Sequence, residues 1–165
     1  MQLQRLFLTF FGLGNSPKYP KLTTMIIAMI SGLVILYYMG LETLSMLTVA
    51  GAIIALFEIN KYYNNTQKES RYTIVIDRVV GIWLMLLIIQ PTLTALNYPF
   101  VVAIALFVGL LSYWFFDTKK PSTIGWLYHN LKGGLGIITS MLLTAFAAGF
   151  LTIVVLRGIH FLFTL

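Results

Sequence analysis

Apolar residues in this chain run in blocks long enough to cross a bilayer, and polar residues collect between the blocks. A membrane-spanning helix needs about 20 mostly apolar residues. Residues 22–39, 41–56, 73–90, 96–116 and 135–156 meet that requirement loosely. The pattern predicts an all-α fold, a polytopic integral membrane helical bundle of about five transmembrane helices. A single membrane domain is expected over 1–165, with 1–21 as an interfacial or re-entrant segment and 22–165 as the bundle. Within 1–12, Leu3, Leu6, Phe7 and Phe10 share one side, which predicts a short helix lying in the membrane interface. Spans one and two are separated only around Gly40, so a tight helical hairpin is expected there. Pro91 and Pro99 punctuate the connection between spans three and four. The last span is expected to run on towards Leu165, because the chain stays apolar after Arg157.

Composition supports the membrane reading. Of 165 residues, 59% are hydrophobic and 10% charged, and mean hydropathy is +0.89. A soluble domain carries about 25% charged residues, so this chain lacks the charge to cover a water-exposed surface. The absence of cysteine excludes disulfides, thiolate metal sites and a cysteine nucleophile. The net charge of +6 follows the positive-inside pattern rather than a nucleic-acid surface. Arg5, Lys18 and Lys21 precede span one. Lys61, Lys68 and Arg71 lie between spans two and three, and Lys119, Lys120 and Lys132 between spans four and five. The other connections carry no Lys or Arg. That alternation places the N-terminus and both basic loops in the cytoplasm, in a bacterial inner (cytoplasmic) membrane. The N-terminal stretch lacks a convincing cleavage site and is expected to be retained.

Span three opens with two adjacent charges, Asp77 and Arg78. At 1.5 Å per residue, Asp77 lies roughly 6 Å below the start of that span. It is therefore near the interface, where the cost of a charge is lower than at the bilayer centre. Arg78 points about 100° away around the helix. It need not pair with Asp77, and it can snorkel to the headgroups. Asp77 is too short to snorkel and requires a partner or a wet pocket.

The orientation puts the unusual polar residues at one membrane level: "GNSPKYP" at 14–20, Asp77, "FDTKKPSTIGWLYHNLKGGLGI" at 116–137, and Thr139 and Ser140. For Lys61, Lys68 and Arg71 an orienting role suffices. His129 reads as a packing residue, and His160 is isolated in an apolar tail. Glu42 and Glu58 read as residues flanking spans. "KGGLG" at 132–136 either presents backbone N–H groups to a phosphate at a helix start or forms a flexible junction.

In order and spacing, "SPKYP", "IVIDRVVGIW", "FDTKKPSTIGW" and "NLKGGLGI" resemble phosphatidylglycerophosphatase A, over about residues 10–149. The resemblance implies an integral-membrane, Mg²⁺-dependent phosphatase that converts phosphatidylglycerophosphate to phosphatidylglycerol. Ser16, Pro17, Pro20, Asp77, Asp117, Lys120, Pro121, Asn130, Gly133, Gly134 and Gly136 match the family pattern. Lys21 and Leu22 replace a Gly-Thr pair, and Arg78 replaces a Glu. Trp114 stands where an Arg is usual, and Tyr128 and His129 stand where an Asp-Arg pair is usual. Ser140 and Met141 stand where the family has two Asp. Carried over, Asp77 and Asp117 are the candidate catalytic and metal residues, in a degenerate site. Lys119, Lys120, Gly133, Gly134 and Ser16 are candidates for the substrate phosphate. Mg²⁺ is the expected cofactor if the chain is active, with none otherwise. The expected partner is an anionic membrane phospholipid, with a membrane protein partner a further option and nucleic acid excluded.

Mg²⁺ takes hard oxygen ligands in octahedral geometry, commonly one or two carboxylates plus water and substrate phosphate. Here the acidic set shrinks to Asp77 and Asp117, and Arg78 adds positive charge. Two main readings stay open: a divergent lipid phosphatase, or a non-catalytic homologue that binds lipid or a partner. A small transporter or channel component is the least supported, because no charge lies at mid-membrane.

Overall fold

A computed structural model describes residues 20–65, 75–96, 100–131 and 133–164. The expectations placed on the interfacial helix at 1–12, Ser16, Lys68, Arg71 and Lys132 lie outside the described residues. So do those on the side chains of Tyr128 and His129 and on the surroundings of Gly133. The described chain is almost wholly helical, with no strand. Its elements are α1 (Pro20–Asn65), α2 (Ile76–Ala95), α3 (Val101–Lys119), α4 (Ser122–Asn130) and α5 (Gly133–Thr164). Four helices are long and apolar enough to cross a membrane, over Lys21–Lys61, Ile76–Ala95, Val101–Lys119 and Gly134–Leu162.

The first of these four contains both of the first two predicted spans. α1 breaks at Gly40, with φ 84° and ψ 176°, a backbone conformation that essentially only glycine adopts. A Cβ at Gly40 would meet nothing within 4 Å. Backbone strain, not crowding, therefore requires glycine. Gly32 packs on Trp83 and Leu86, while Gly51 packs on Val80. On a continuous helix Gly32 and Gly51 would lie about 28 Å apart, yet residues 80 and 86 of α2 are separated by only about 9 Å. α1 is thus folded back at Gly40, and its two arms flank α2.

α2 is the central helix. It packs against α1 and α5, while α3 packs chiefly on α5. Val79, Val80, Ile82, Met85, Leu86 and Ile89 are buried in the core, with Met25, Ala28, Leu44 and Ile59 from α1. Small residues set the close approaches, as expected where apolar lipid provides no hydrophobic drive for helices to associate. At Gly32 the approach is reinforced by the Trp83 indole, which donates to the Ala28 carbonyl at 3.0 Å and lies 3.2 Å from Ser31 Oγ. Large apolar side chains such as Phe57, Phe107, Phe150 and Leu162 point outward, the arrangement a hydrocarbon solvent favours.

Two boundaries differ from the sequence reading. Pro91 was expected to end a span but sits inside α2, which continues to Ala95. Membrane helices tolerate proline because nearby hydroxyls and neighbouring helices satisfy the freed backbone groups. Here the Thr94 hydroxyl donates to the Pro91 carbonyl at 3.0 Å. The polar connection before the last span also contains a nine-residue helix, α4.

Candidate functional site

The folding of α1 brings several helix ends to one level. Asn60, near the end of α1, accepts a hydrogen bond from the Gly134 N–H at the start of α5, at 2.7 Å. Lys21 at the start of α1 acts electrostatically on Lys120, which follows α3. α2 begins where α3 ends, so Asp77 and Arg78 in the first turn of α2 face Asp117 in the last turn of α3. A carboxylate in a first helical turn is favoured by the unpaired N–H groups and the helix dipole.

Arg78 does not snorkel. It is 7% exposed, and its Nε donates to Asp117 Oδ2 at 3.0 Å. Its guanidinium also approaches Asp77, with Nη1 3.5 Å from Oδ1. Neighbouring Asp77 and Arg78 need not pair, yet here they approach, and Asp117 holds the guanidinium away from the headgroups. An ion pair at about 4 Å is worth roughly 4 kcal/mol at an effective dielectric near 20. Asp117, contributed by another helix, supplies that attraction inside the bundle, so the guanidinium turns inward. Asp77 gains the partner it required, but only partly. Oδ1 is buried and has no hydrogen-bond partner among the described residues.

Tyr113 was not among the sequence-derived candidates. It lies one turn before Asp117 and is 1% exposed. Its hydroxyl lies against Gly81, one turn after Asp77, and a methyl at Gly81 would overlap it. The same methyl would meet Met141 Cγ at 2.9 Å, so α5 closes the third side. The available signal was a glycine and a tyrosine, each one turn from a membrane-embedded carboxylate.

Lys120 caps α3 in the left-handed conformation, with φ 42°, at a cost of roughly 1–2 kcal/mol for a residue with a Cβ. Pro121 follows. Gly125 of α4 lies over the Lys120 carbonyl so closely that a Cβ would sit 2.6 Å from that oxygen. The turn thus holds Lys120 beside the cluster. Burial pushes its ammonium down to about 8, against the pull of Asp117 and Asp77, while Arg78 and Lys21 lower it further. Lys119 is exposed.

The other candidates separate. Gly134 N–H is engaged by Asn60, so that amide is already used within the protein. Ser140 is buried and donates to the Ile137 carbonyl of its own helix at 2.9 Å. Leu22 and Trp114 line an apolar cleft of about 210 Å³ with Met25, Leu110 and Leu111. Asp77, Arg78, Asp117 and Lys120 are the residues the fold brings together, with Tyr113 and Met141 behind them. Among the described residues, no three His, Cys, Asp or Glu side chains are grouped together.

No curated protein and no solved structure matches the chain. The family model described as phosphatidylglycerophosphatase A matches residues 6–159. That match covers both arms of α1, all of α2, α3 and α4, and most of α5, and so every element that builds the Asp77–Arg78–Asp117–Lys120 cluster. The chain therefore belongs to the phosphatidylglycerophosphatase A family.

Proposed function

We propose that this family member binds the phosphate-bearing headgroup of an anionic phospholipid and does not hydrolyse it by the family's Mg²⁺-dependent route. One observation carries the reading: the Arg78 guanidinium sits between the two carboxylates that the described residues bring to the cluster, 3.0 Å from Asp117 and 3.5 Å from Asp77. A Mg²⁺ ion needs those oxygens in octahedral geometry, and metal-assisted phosphoryl chemistry needs the ion beside the phosphate. A guanidinium already holding the oxygens would repel a divalent cation. The residues present therefore do not fit Mg²⁺.

A phosphate group can still be held without a metal. Arg or Lys against phosphate forms a charge-assisted hydrogen bond. Lys21, Lys119 and Lys120 gather at this end of the bundle, with Arg78 adding positive potential. The apolar cleft lined by Leu22 and Trp114 begins beside Lys21, so a lipid can lie along the helices while its headgroup meets the lysines. The location supported by the loop charges is the cytoplasmic face of an inner membrane.

The test is phosphate release from phosphatidylglycerophosphate by purified protein with Mg²⁺. The unaltered chain is expected to release little or none while still binding anionic vesicles. A variant carrying Arg78→Glu, Ser140→Asp and Met141→Asp restores acidic residues at three positions and is the comparison. Robust Mg²⁺-dependent turnover by the unaltered chain would overturn the proposal in favour of a divergent phosphatase.

A further inference from the structure

We propose that α4 is a membrane-surface element: the face that carries Trp126 rests in the headgroup boundary of the bilayer, and α4 thereby holds the Lys119–Lys120 turn at that depth. The proposal stands whether or not the cluster binds a phosphate.

The lengths of α3 and α4 place the face. α3 has 19 residues, and at 1.5 Å per residue it is about 28 Å long. That matches the roughly 30 Å hydrocarbon core of a bilayer, so its last residue, Lys119, stands at one boundary of the core. Only Lys120 and Pro121 separate α3 from α4. The nine residues of α4 give about 14 Å, too short to cross the core. α4 packs on α5, and Ile124 is buried. Trp126 is two residues further on and points about 200° away around the helix. It is 61% exposed. Thr123 and Asn130, three before it and four after it, are exposed on the same face. An indole between two polar side chains has one apolar body and one hydrogen-bonding edge to place, and the headgroup boundary accepts both.

The other exposed aromatics support that level independently. Among the described residues, the exposed tyrosines and tryptophans are Tyr37, Tyr38, Trp114 and Trp126. Tyr37 and Tyr38 lie beside the turn at Gly40, and Trp114 lies within two turns of Lys120. Exposed phenylalanines such as Phe107 and Phe150 occupy the middle of α3 and α5 instead. Tyrosine and tryptophan at both ends with phenylalanine between them is the pattern of two membrane interfaces.

Gly125 couples this surface to the lysines. A Cβ at Gly125 would sit 2.6 Å from the Lys120 carbonyl oxygen, so α4 rests directly on the left-handed turn that caps α3. The depth of α4 is therefore also the depth of Lys119 and Lys120.

The experiment uses the full chain reconstituted into phosphatidylglycerol vesicles. The chain has no native cysteine, so a spin label can be attached at Thr123→Cys, on the Trp126 face, or at Phe107→Cys, in mid-span. Electron paramagnetic resonance then compares collisions with oxygen, which concentrates in hydrocarbon, and with a water-soluble nickel chelate. The label at 107 is expected to meet oxygen and to be shielded from nickel. The label at 123 is expected to meet both, at a depth between that of 107 and water. Trp126→Ser should raise nickel collisions at 123 several-fold and leave the label at 107 unchanged. Trp126→Tyr should restore the original depth, because a tyrosine also prefers the interface. Nickel collisions at 123 as frequent as for free label in water would overturn the proposal. Shielding of 123 from both reagents would overturn it too, because protein, from this chain or a second copy, would then cover the face. So would a depth at 123 that ignores Trp126→Ser. If Trp126→Ser also disturbed the label at 107, the depth measured at 123 with Trp126 present would decide alone: an intermediate depth upholds the proposal, and either of the first two results overturns it.

Discussion

The lysine that follows α3 shows how one residue's environment sets its behaviour. Lys120 is half-buried and held in the left-handed conformation by the turn into Pro121 and α4. Burial lowers its pKa to about 8 from an ordinary 10.5, although Asp117 and Asp77 pull the other way. Because the folded value is the lower one, the folded chain releases this proton first. The buried ammonium costs stability below about pH 8, and the cost is relieved as pH rises from about 8 towards 10.5. Headgroup binding should run opposite to stability. If Lys120 clamps a phosphate, affinity for anionic vesicles should fall as pH is raised through about 8. Lys120→Arg should retain affinity across that range, because a guanidinium stays charged. Lys120→Met should bind weakly at pH 7 and show no such fall. Vesicle co-sedimentation at pH 7, 8 and 9 checks this, and an unchanged profile in Lys120→Met would remove Lys120 from the site. The pairing of Arg78 was not legible at this scale. Adjacent residues on a helix diverge by about 100°, and nothing in the local sequence shows that Asp117 will arrive opposite.

At the scale of elements, the glycines decide which helices can meet. Gly81 gives the Tyr113 hydroxyl its place between α2 and α5, and thereby sets how closely α3 approaches beside the Arg78–Asp117 bond. Gly81→Ala would overlap both Tyr113 and Met141. Overpacking of this kind typically costs about 1–3 kcal/mol. The expected outcome is a lowered Tm, recovered only in part by Tyr113→Phe, which removes the overlapping oxygen but leaves the ring carbon and Met141 Cγ at 2.9 Å. A Gly81→Ala protein as stable as the parent would show that α2 and α3 can separate without cost. The spans themselves were legible, since about 20 apolar residues in a row leave few alternatives. The turn at Gly40 was legible because a glycine between two spans needs no other explanation. Pro91 misled because proline ends helices in water but is accommodated in membrane helices. The engagement of Gly134 by Asn60 could not be read from the glycine-rich segment, because its partner lies 74 positions away.

For the whole molecule, folding α1 at Gly40 returns its end to the level of its start. That places Lys21, Asn60, Asp77, Asp117 and Gly134 at one end of the bundle. The proposed headgroup site puts that end on the cytoplasmic side, as the loop charges would orient it. A cysteine introduced at Asn64 should therefore resist a membrane-impermeant thiol reagent added to intact cells, and should react once the membrane is opened. The chain has no native cysteine to confuse the result. Efficient labelling in intact cells would invert the orientation and move the proposed headgroup site to the other leaflet.

Sequence by itself determined the class of this protein, because hydrophobic content and block length depend only on composition and order. It also determined the approximate spans, the glycine hinge and the family resemblance, whose short motifs survive in order. What it could not determine was the state of the site. Asp77, Arg78 and Asp117 were all visible as exceptions in an apolar chain. Whether they repel, ignore or neutralise one another depends on ångström-scale distances between helices. Only tertiary packing of α2 against α3 and α5 brought Asp117 to Arg78 at 3.0 Å, pressed Tyr113 onto Gly81 and left Asp77 Oδ1 without a donor among the described residues. Electrostatic energy varies inversely with those distances and with local polarity, and neither quantity is written in the order of the residues.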